Sequence, residues 1–155
     1  MSAAPLRVLV IDDEPPIRKL LRVGLSAHGY QIVEASNGKM ALNLLSEQTP
    51  DLVILDLGLP DMQGHELLRT MRARNDSVPI VVLSSRDDET GKVQALDSGA
   101  DDYVTKPFGM DELLARMRNN SYSFGESLIS LSPIFTIRRT RSTERSSTWK
   151  IGRSP

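Results

Sequence analysis

The first 118 residues alternate between short apolar runs and longer amphipathic stretches. The apolar runs predict β-strands near residues 7–11, 31–35, 51–55, 79–84 and 102–105. Because Val, Ile and Leu occupy consecutive positions in these runs, both faces of each strand are expected to be buried, as in a parallel sheet. The intervening stretches carry apolar residues at helical spacing, with stripes over residues 17–25, 40–45, 67–71, 93–96 and 113–117.

Five alternating strand–helix units predict an α/β fold with a doubly wound, five-stranded parallel sheet and helices on both faces. Strand order 2-1-3-4-5 is a common solution at this size. Pro15 and Pro16 suit the first turn of a helix, where the missing N–H has no intrahelical partner to lose. Gly29 and Gly99 follow predicted helix ends, where glycine commonly terminates a helix.

Composition and charge bound the class of protein. The 155 residues are enough for one domain with a core and an appendage. The net charge of −1 hides an asymmetry, because residues 1–118 carry a net charge of −5 and residues 119–155 a net charge of +4. The chain has no cysteine, which excludes disulfides and thiolate chemistry. With no signal-peptide pattern and no apolar run near the about 20 residues that span a bilayer, a cytoplasmic protein without membrane contact is expected.

Residues 119–155 differ from the rest in composition. Thirteen of these 37 residues are Ser or Thr, and residues 138–141 form a basic cluster. They show no periodic core pattern, so a mostly irregular tail is expected. Asn119, Asn120 and Ser121 interrupt the last helical stripe, which predicts a domain boundary after residue 118. We hypothesise that a shift of reading frame near residue 119 produced a non-native tail, which the coding DNA would reveal.

Polar residues follow four of the predicted strands. They are Asp12 and Asp13 after the first, Asp56 after the third, Ser84 at the end of the fourth and Lys106 after the fifth. The carboxyl ends of parallel strands meet at one edge of the sheet, and ligands bind there where the strand order reverses. This arrangement predicts a site for a divalent cation and a phosphoryl group.

The carboxylates at this edge favour Mg²⁺, which prefers oxygen ligands and usually takes one or two carboxylates together with phosphate oxygens. Asp13 and Asp56 are expected to bind the ion directly, with the backbone carbonyl of Gly58 as a further ligand. Asp12 is expected to contact it through a water molecule. The alternative for Asp12 and Asp13 is N-capping of the helix that begins near Pro15.

Asp56 is the candidate nucleophile, because a carboxylate on the central strand can form an aspartyl phosphate. The alternative is a turn residue before Gly58. Lys106 is expected to pair with Asp56 and then with a phosphoryl oxygen, against the alternative of a solvated surface charge. The bond between Lys106 and Pro107 is a candidate for the cis isomer.

Two further residues near this edge have two interpretations each. Ser84 could donate a hydrogen bond to a phosphoryl oxygen, or it could simply be solvated at the end of its strand. Tyr103 is either a buried aromatic residue of the sheet or a residue that changes rotamer with the state of the site. The sequence leaves both questions open.

Four motifs together resemble the receiver domain of bacterial two-component response regulators. They are VLVIDDE at residues 8–14, LDLGLPD at 55–61, VLSSR at 82–86 and GADDYVTKPF at 99–108. The resemblance extends over about residues 6–118 and is strongest to the OmpR/PhoB subgroup, in particular to regulators of Kdp-type potassium transport. It implies a flavodoxin-like (CheY-like) fold and a signalling switch with at most self-dephosphorylation, not an enzyme.

The resemblance also implies roles for the matched residues of the site. Asp56 would accept a phosphoryl group from a histidine of a sensor kinase, and Asp12 and Asp13 would form the acidic Mg²⁺ pocket. Lys106 would bind the phosphate. Ser84 and Tyr103 would be the switch pair. The positions of Gly58 and Arg86 tune dephosphorylation in this family.

The subgroup implies a symmetric homodimer that forms on phosphorylation, through the fourth helix, fifth strand and fifth helix. Lys92 with Glu112, and Asp102 with Arg116, match its cross-subunit ion pairs. The alternative is exposed helix charges worth about 0–1 kcal/mol each. Promoter DNA would be bound only through a C-terminal winged-helix domain of the full-length protein, which residues 119–155 are too short to form.

Other functions are consistent with parts of the pattern. A stand-alone adaptor receiver would signal by docking alone. A Mg²⁺-dependent phosphatase or phosphotransferase of the haloacid-dehalogenase type also uses a strand-end Asp, but it needs a second Asp two residues later, where this chain has Gly58. A receiver that never accepts phosphate is disfavoured by the intact acidic residues and by Lys106.

Overall fold

The computed structural model describes residues 5–74, 77–85, 89–121, 136–140 and 148–152. The strands are β1 (Arg7–Ile11), β2 (Gln31–Ala35), β3 (Leu52–Asp56), β4 (Ile80–Ser84), β5 (Asp102–Thr105), β6 (Thr136–Thr140) and β7 (Thr148–Gly152). The helices are α1 (Pro15–Ser26), α2 (Gly38–Glu47), α3 (Gly64–Arg74), α4 (Glu89–Asp97) and α5 (Met110–Ser121).

The first five strands form one parallel sheet in the order β2-β1-β3-β4-β5, which confirms the predicted topology. Strands β1 and β3 are neighbours, with Ile11 opposite Leu55. The strand order reverses between these two, so the residues that follow Ile11 and Leu55 meet at the carboxyl edge of the sheet.

Each face of the sheet carries its own apolar core. On one face, alternate strand residues such as Leu9 and Leu55 pack with Leu67 and Leu68 of α3. On the other, Val8 and Ile54 belong to a cluster with residues of α1 and α5. All five residues of β3 and all five of β4 are buried, which explains why the first four residues of each strand are apolar.

The helix boundaries follow from local chemistry. Pro15 and Pro16 occupy the first two positions of α1, as predicted. Gly29 and Gly99 adopt φ angles of 88° and 123°, which other residues rarely adopt, and they terminate the turns after α1 and α4.

The C-terminal end of α5 differs from the prediction. The helix continues through Asn119 and Asn120 to Ser121, although Asn is a weak helix former. Asn120 is buried, and its amide donates to the Asp102 carboxylate at 3.3 Å and to the Arg116 carbonyl at 2.8 Å. The tertiary contact with Asp102 outweighs the local preference, so the predicted end of the helix was three residues too early.

Beyond α5, strands β6 and β7 pair in an antiparallel ladder, with Arg138 opposite Lys150. Neither strand was predicted from the sequence, because residues 119–155 show no periodic hydrophobic pattern. Among the residues that the structure describes, no helix combines the length and the apolar character needed to cross a bilayer.

Candidate functional site

Three carboxylates meet at the carboxyl edge of the sheet. Asp12 follows β1 and Asp56 ends β3, and the two strands pair in parallel, so their ends are adjacent. Each of Asp12, Asp13 and Asp56 offers a carboxylate oxygen, and these atoms lie within 4.8 Å of one another. Asp12 and Asp56 are buried, with 1% and 7% of their surface exposed, whereas Asp13 is exposed. The structure thus brings together the three acids that the strand pattern placed at one edge.

The turn after β1 is held by its own hydrogen bonds. The Glu14 N–H donates to Asp12 Oδ1 at 2.9 Å, and Arg18 Nη1 donates to the Asp12 carbonyl oxygen at 2.8 Å. The N-cap of α1 is Glu14, whose side chain makes no capping hydrogen bond. The capping alternative for Asp12 and Asp13 is therefore not what the structure shows.

Lys106 places one positive charge near three carboxylates, those of Asp12, Asp56 and Glu14. Its Nζ lies 3.2 Å from Asp12 Oδ2, 3.5 Å from Asp56 Oδ1 and 3.7 Å from Glu14 Oε2. The peptide bond to Pro107 is cis, as the sequence suggested. The Lys106 N–H donates to the Ser84 carbonyl at 2.7 Å, which ties the ends of β4 and β5 together below the ammonium group. Lys106 is therefore a partner of the acids and not a solvated surface charge.

The electrostatics of the site are unbalanced. Burial raises the pKa of Asp56, and the nearby charge of Asp12 raises it further, against the opposing effects of Lys106 and of a hydrogen bond from the Gly58 backbone. Burial alone would lower the pKa of Lys106, but the charges of Asp56 and Asp12 reverse the effect, so this pKa is raised and the ammonium form is held. One ammonium thus faces several carboxylates.

This donor set fits a divalent cation. All-oxygen ligands with excess negative charge are what Mg²⁺ prefers, and Asp13 offers an exposed oxygen beside the two buried acids. Neutralising the cluster would also relieve the repulsion between Asp12 and Asp56. Receiver-type metal ligation by these residues stays a prediction, which the chemistry of the cluster supports.

A cavity of about 570 Å³ opens beside Asp56. Its walls include the segment from Leu57 to His65, with Gly58, and the end of β4 at Ser84 and Ser85. Ser84 is buried at this wall, in a place where its hydroxyl could reach a group bound to Asp56. The cavity volume is large enough to hold a phosphoryl group beside Asp56.

Tyr103 lies in the core and not on the surface. Only 8% of its surface is exposed, and it belongs to the cluster that contains Ala95 and Leu96 of α4. The interpretation as a buried sheet aromatic is therefore correct for this state. The change of rotamer that the switch role requires stays a prediction.

The predicted dimer residues form contacts inside one chain. Arg116 Nη1 lies 3.0 Å from Asp102 Oδ1, and Arg116 Nη2 lies 3.9 Å from Glu112 Oε2. Asp102 is buried and also accepts hydrogen bonds from the Tyr103 N–H and from Asn120. The pairing of Asp102 with Arg116 across subunits, and that of Lys92 with Glu112, are not tested by a single chain.

Sequence reasoning missed three residues that support the site. Glu14 adds a carboxylate near Lys106, and the acidic run of residues 12–14 was the available signal. Arg18 holds the Asp12 turn, and Asp61 binds two backbone amides of α2, at Gly38 and Lys39. Nothing in local sequence spacing links Asp61 to α2, because Asp61 is 22 positions along the chain from Lys39, whose amide is the nearer of the two in sequence.

Comparison with known proteins settles the family. The family model described as response regulator receiver domain matches residues 8–118. The chain belongs to the response regulator receiver family. The matched range includes β2 to β5, all of β1 except Arg7, and Asp12, Asp13, Asp56 and Lys106 of the site. The receiver therefore has the CheY-like topology that the strand order established.

Two curated relatives are similar to this receiver in sequence. The transcriptional regulatory protein KdpE of Mycobacterium tuberculosis is 60% identical over 111 residues, which are 72% of this chain and 49% of the relative. The response regulator MprA of Mycolicibacterium vanbaalenii is 46% identical over 114 residues, covering 74% and 49% of the two chains. The chain spans about half the length of the curated relatives it matches.

Solved structures agree with this assignment. The Francisella response regulator 1452 receiver domain superposes with a TM-score of 0.72 at 34% identity, covering 75% of this chain and 96% of that one. Membership in this family, together with Gly58 at the position of a required second acid, leaves the haloacid-dehalogenase alternative without support. Arg86, expected to tune dephosphorylation, lies outside the described residues.

Proposed function

We propose that this receiver accepts a phosphoryl group on Asp56 from a histidine of a sensor kinase, in a Mg²⁺-dependent reaction. The observation that carries the proposal is the convergence of Asp12, Asp56 and Lys106 at the carboxyl ends of three separate strands, beside the cavity that Asp56 lines. Phosphoryl transfer needs mainly positioning and charge neutralisation, which such a cluster supplies. The proposed receiver unit comprises residues 1–118 together with the last residues of α5 to Ser121, and the rest of the segment 119–155 is proposed as a separate tail.

The chemical step uses a carboxylate oxygen of Asp56 as nucleophile. This oxygen attacks phosphorus, the bond between phosphorus and the kinase imidazole nitrogen breaks, and its electron pair returns to the imidazole. Lys106 Nζ starts 3.5 Å from Asp56 Oδ1 and donates to a phosphoryl oxygen once Asp56 is phosphorylated. Asp13, Asp56 and the Gly58 carbonyl would hold Mg²⁺ directly, and Asp12 would contact it through a water molecule. The ion would neutralise the charge of the phosphoryl oxygens.

The output begins as a change of charge. An acyl phosphate carries on the order of −1.5 to −2 charge, in place of the single negative charge of the ionised Asp56 carboxylate. Ser84 lies at the cavity wall and would donate to a phosphoryl oxygen, which draws the segment after β4 inward. Tyr103, on the adjacent strand, would then change rotamer and report the state of the site to α4 and α5.

The proposed consequence is homodimerisation through α4, β5 and α5. Arg116 would exchange its contact with Asp102 of the same chain for one across the interface, and Lys92 would pair with Glu112. Transcriptional control, which the name of the KdpE relative gives for that protein, would need a DNA-binding effector domain in the full-length protein. Promoter DNA is proposed as a partner only of that longer protein.

Phosphorylation by acetyl phosphate tests the proposal directly. The full chain is incubated with acetyl phosphate and Mg²⁺, and the modified residue is mapped by mass spectrometry. We expect one phosphoryl group at Asp56, with complete loss of labelling on chelation or in Asp56→Asn.

A matched control comes from the other end of the same strand. Asp51 precedes β3, and its carboxylate accepts the Arg7 N–H at 2.8 Å. Asp51→Asn should label as the wild type does. Labelling of Asp56→Asn at the wild-type level would refute the assignment of the nucleophile.

A further inference from the structure

The segment between β3 and α3 forms much of the cavity beside Asp56, and it includes the proposed ligand Gly58. At its far end, the Gly64 N–H donates to the Leu57 carbonyl at 3.2 Å. A Cβ at Gly64 would lie 2.5 Å from the Leu57 Cα, so these two residues are in close backbone contact. The segment is thus a closed loop, and its base is fixed by Leu57 and Gly64.

The tip of this loop is fixed by Asp61. Asp61 Oδ1 accepts the Gly38 N–H at 2.8 Å, and Oδ2 accepts the Lys39 N–H at 2.9 Å. Gly38 and Lys39 are the first two residues of α2, whose N-terminal amides lack partners within the helix. The carboxylate therefore binds where the helix dipole is positive, and it joins the loop to an element 22 residues earlier.

Apolar packing reinforces this contact. A Cβ at Gly38 would lie 2.5 Å from Met62 Sδ, so Met62 already fills the space that a side chain would need. Met62 packs against the core cluster on this face of the sheet. The contact of Asp61 and Met62 with the start of α2 is consequently tight, and small shifts of the loop would break its hydrogen bonds.

We infer that Asp61 is a positioning residue for metal binding: by holding the loop against α2, it sets where the Gly58 carbonyl stands relative to Asp56. The inference rests on the proposed Mg²⁺ function of this site. Both Asp61 carboxylate oxygens are engaged by α2, so the residue acts through the loop and not as a ligand. Outer-shell residues of this kind affect metal affinity through the orientation of the ligands.

The competing explanation is that Asp61 merely stabilises α2. The helix offers a matched control for that explanation, because Asn37 is its N-cap and accepts the Met40 N–H at 2.8 Å. Asn37→Ala removes a capping hydrogen bond from the same helix end and leaves the loop contact in place. Loss of either cap should lower the melting temperature.

The test is direct Mg²⁺ binding to the full chain, measured by isothermal titration calorimetry without a phosphoryl donor. Asp61→Ala is expected to weaken binding by about 10-fold, whereas Asn37→Ala is expected to bind within about 2-fold of the wild type. Asp61→Asn keeps one acceptor oxygen and should fall between the two. Amide proton exchange at Gly58 and Gly64 should accelerate in Asp61→Ala and not in Asn37→Ala.

The results distinguish failure of the Asp61 positioning role from failure of the proposed Mg²⁺ site. Wild-type affinity in a folded Asp61→Ala, or equal weakening by Asn37→Ala, overturns the positioning role and leaves the Mg²⁺ site standing. Circular dichroism establishes that each variant is folded, and Asp61→Asn replaces Asp61→Ala if the latter is not. Absence of Mg²⁺ binding in the wild type overturns the proposed metal site together with this inference.

Discussion

Both ends of the parallel sheet hold buried carboxylates, but the two ends differ in how many carboxylates share one cationic partner. At the amino end of β4 and β5, Asp101 lies 2.6 Å from Arg72 Nη2, and the two side chains are only 6% and 7% exposed. Arg72 also donates to the Gly99 and Val78 carbonyls, and the Ile80 N–H donates to Asp101. At the carboxyl end, one lysine is shared among Asp12, Asp56 and Glu14.

A structural buried charge and a functional one can be distinguished by how completely each is neutralised by its partners. The ion pair of Arg72 and Asp101 is fully hydrogen-bonded, which is the condition under which buried charges are tolerated. The acids around Lys106 are under-neutralised, so the pKa of Asp56 is raised mainly by burial and then by Asp12. An end of the sheet with unmet negative charge attracts a cation, whereas a satisfied one only joins elements together.

The largest predicted effect contrasts the same substitution at the two ends. Asp101→Asn should lower the free energy of unfolding by about 3–5 kcal/mol, because it leaves the Arg72 charge buried and uncompensated. Asp56→Asn should be neutral or stabilising at pH 7. Since the folded pKa of Asp56 is raised, its ionisation costs stability as pH rises from 3.8 through the folded pKa, and Asn removes that cost.

Urea unfolding at pH 7 without divalent cations measures both free energies. Asp51→Asn serves as the control for an exposed carboxylate, with an expected change below about 1 kcal/mol. Similar losses for Asp101→Asn and Asp56→Asn would erase the distinction between the two ends.

The sequence predicted one end of the sheet far better than the other. Asp12, Asp13, Asp56 and Lys106 all follow short apolar runs directly, so strand order alone brought them to one edge. Arg72 has no such signal, because it lies on a helix whose last turn only looks basic and solvated. Its partners at Val78, Gly99 and Asp101 depend on the tertiary packing of α3 against two loops.

The second prediction compares the effect of Mg²⁺ on the stability of variants of Arg72 and Lys106, basic residues at the two ends of the sheet. Arg72→Ala and Lys106→Ala each leave carboxylates without their cation, but only the latter leaves them beside the proposed metal site. Mg²⁺ at ten times its dissociation constant should stabilise Lys106→Ala by about 1.4 kcal/mol. The same concentration should leave Arg72→Ala more than 1 kcal/mol less stable than the wild type in Mg²⁺.

Thermal unfolding with Mg²⁺ and with chelator gives the required comparison, and Asp13→Asn is the control that weakens the metal site without touching Lys106. Equal stabilisation of all variants, including Asp13→Asn, would indicate non-specific ion binding.

Helix α5 shows why its C-terminal end was predicted too early. Asn119 and Asn120 predicted a helix end because Asn is a weak helix former, and the local pattern held no sign of the buried Asp102 carboxylate. Asn120 reaches that carboxylate from 18 residues away. Local propensity was therefore overridden by a contact that only the folded sheet creates.

The third prediction concerns this contact, at the same satisfied end of the sheet. Asn120→Ala should cost about 1 kcal/mol of stability, because Asp102 loses one hydrogen bond and keeps those of Arg116 and Tyr103. If dimerisation requires Arg116 to leave Asp102, loosening Asp102 should raise the dimer fraction of the beryllofluoride-activated chain. Sedimentation velocity measures that fraction, with Arg116→Ala as the variant expected to remain monomeric. A beryllofluoride-treated wild type that sediments unchanged would remove support for the interface.

The smallest predicted effect concerns the direction of a carboxyl pKa shift. It tests whether the hydrogen bonds that a carboxylate accepts, and not its position near one end of the sheet, set that direction. Asp61 lies near the functional edge, yet hydrogen bonds from the Gly38 and Lys39 amides hold its pKa below the usual value of 3.8. Its contribution to stability is therefore present above pH 3.8 and is lost as pH falls through the folded pKa, the opposite sign to Asp56. Asp61→Asn should flatten the acid side of the stability curve, and Asp56→Asn should not. Melting temperatures recorded between pH 2 and 7 check this, and an unchanged acid limb in Asp61→Asn would mean that the α2 amides bind the neutral and ionised acid equally well.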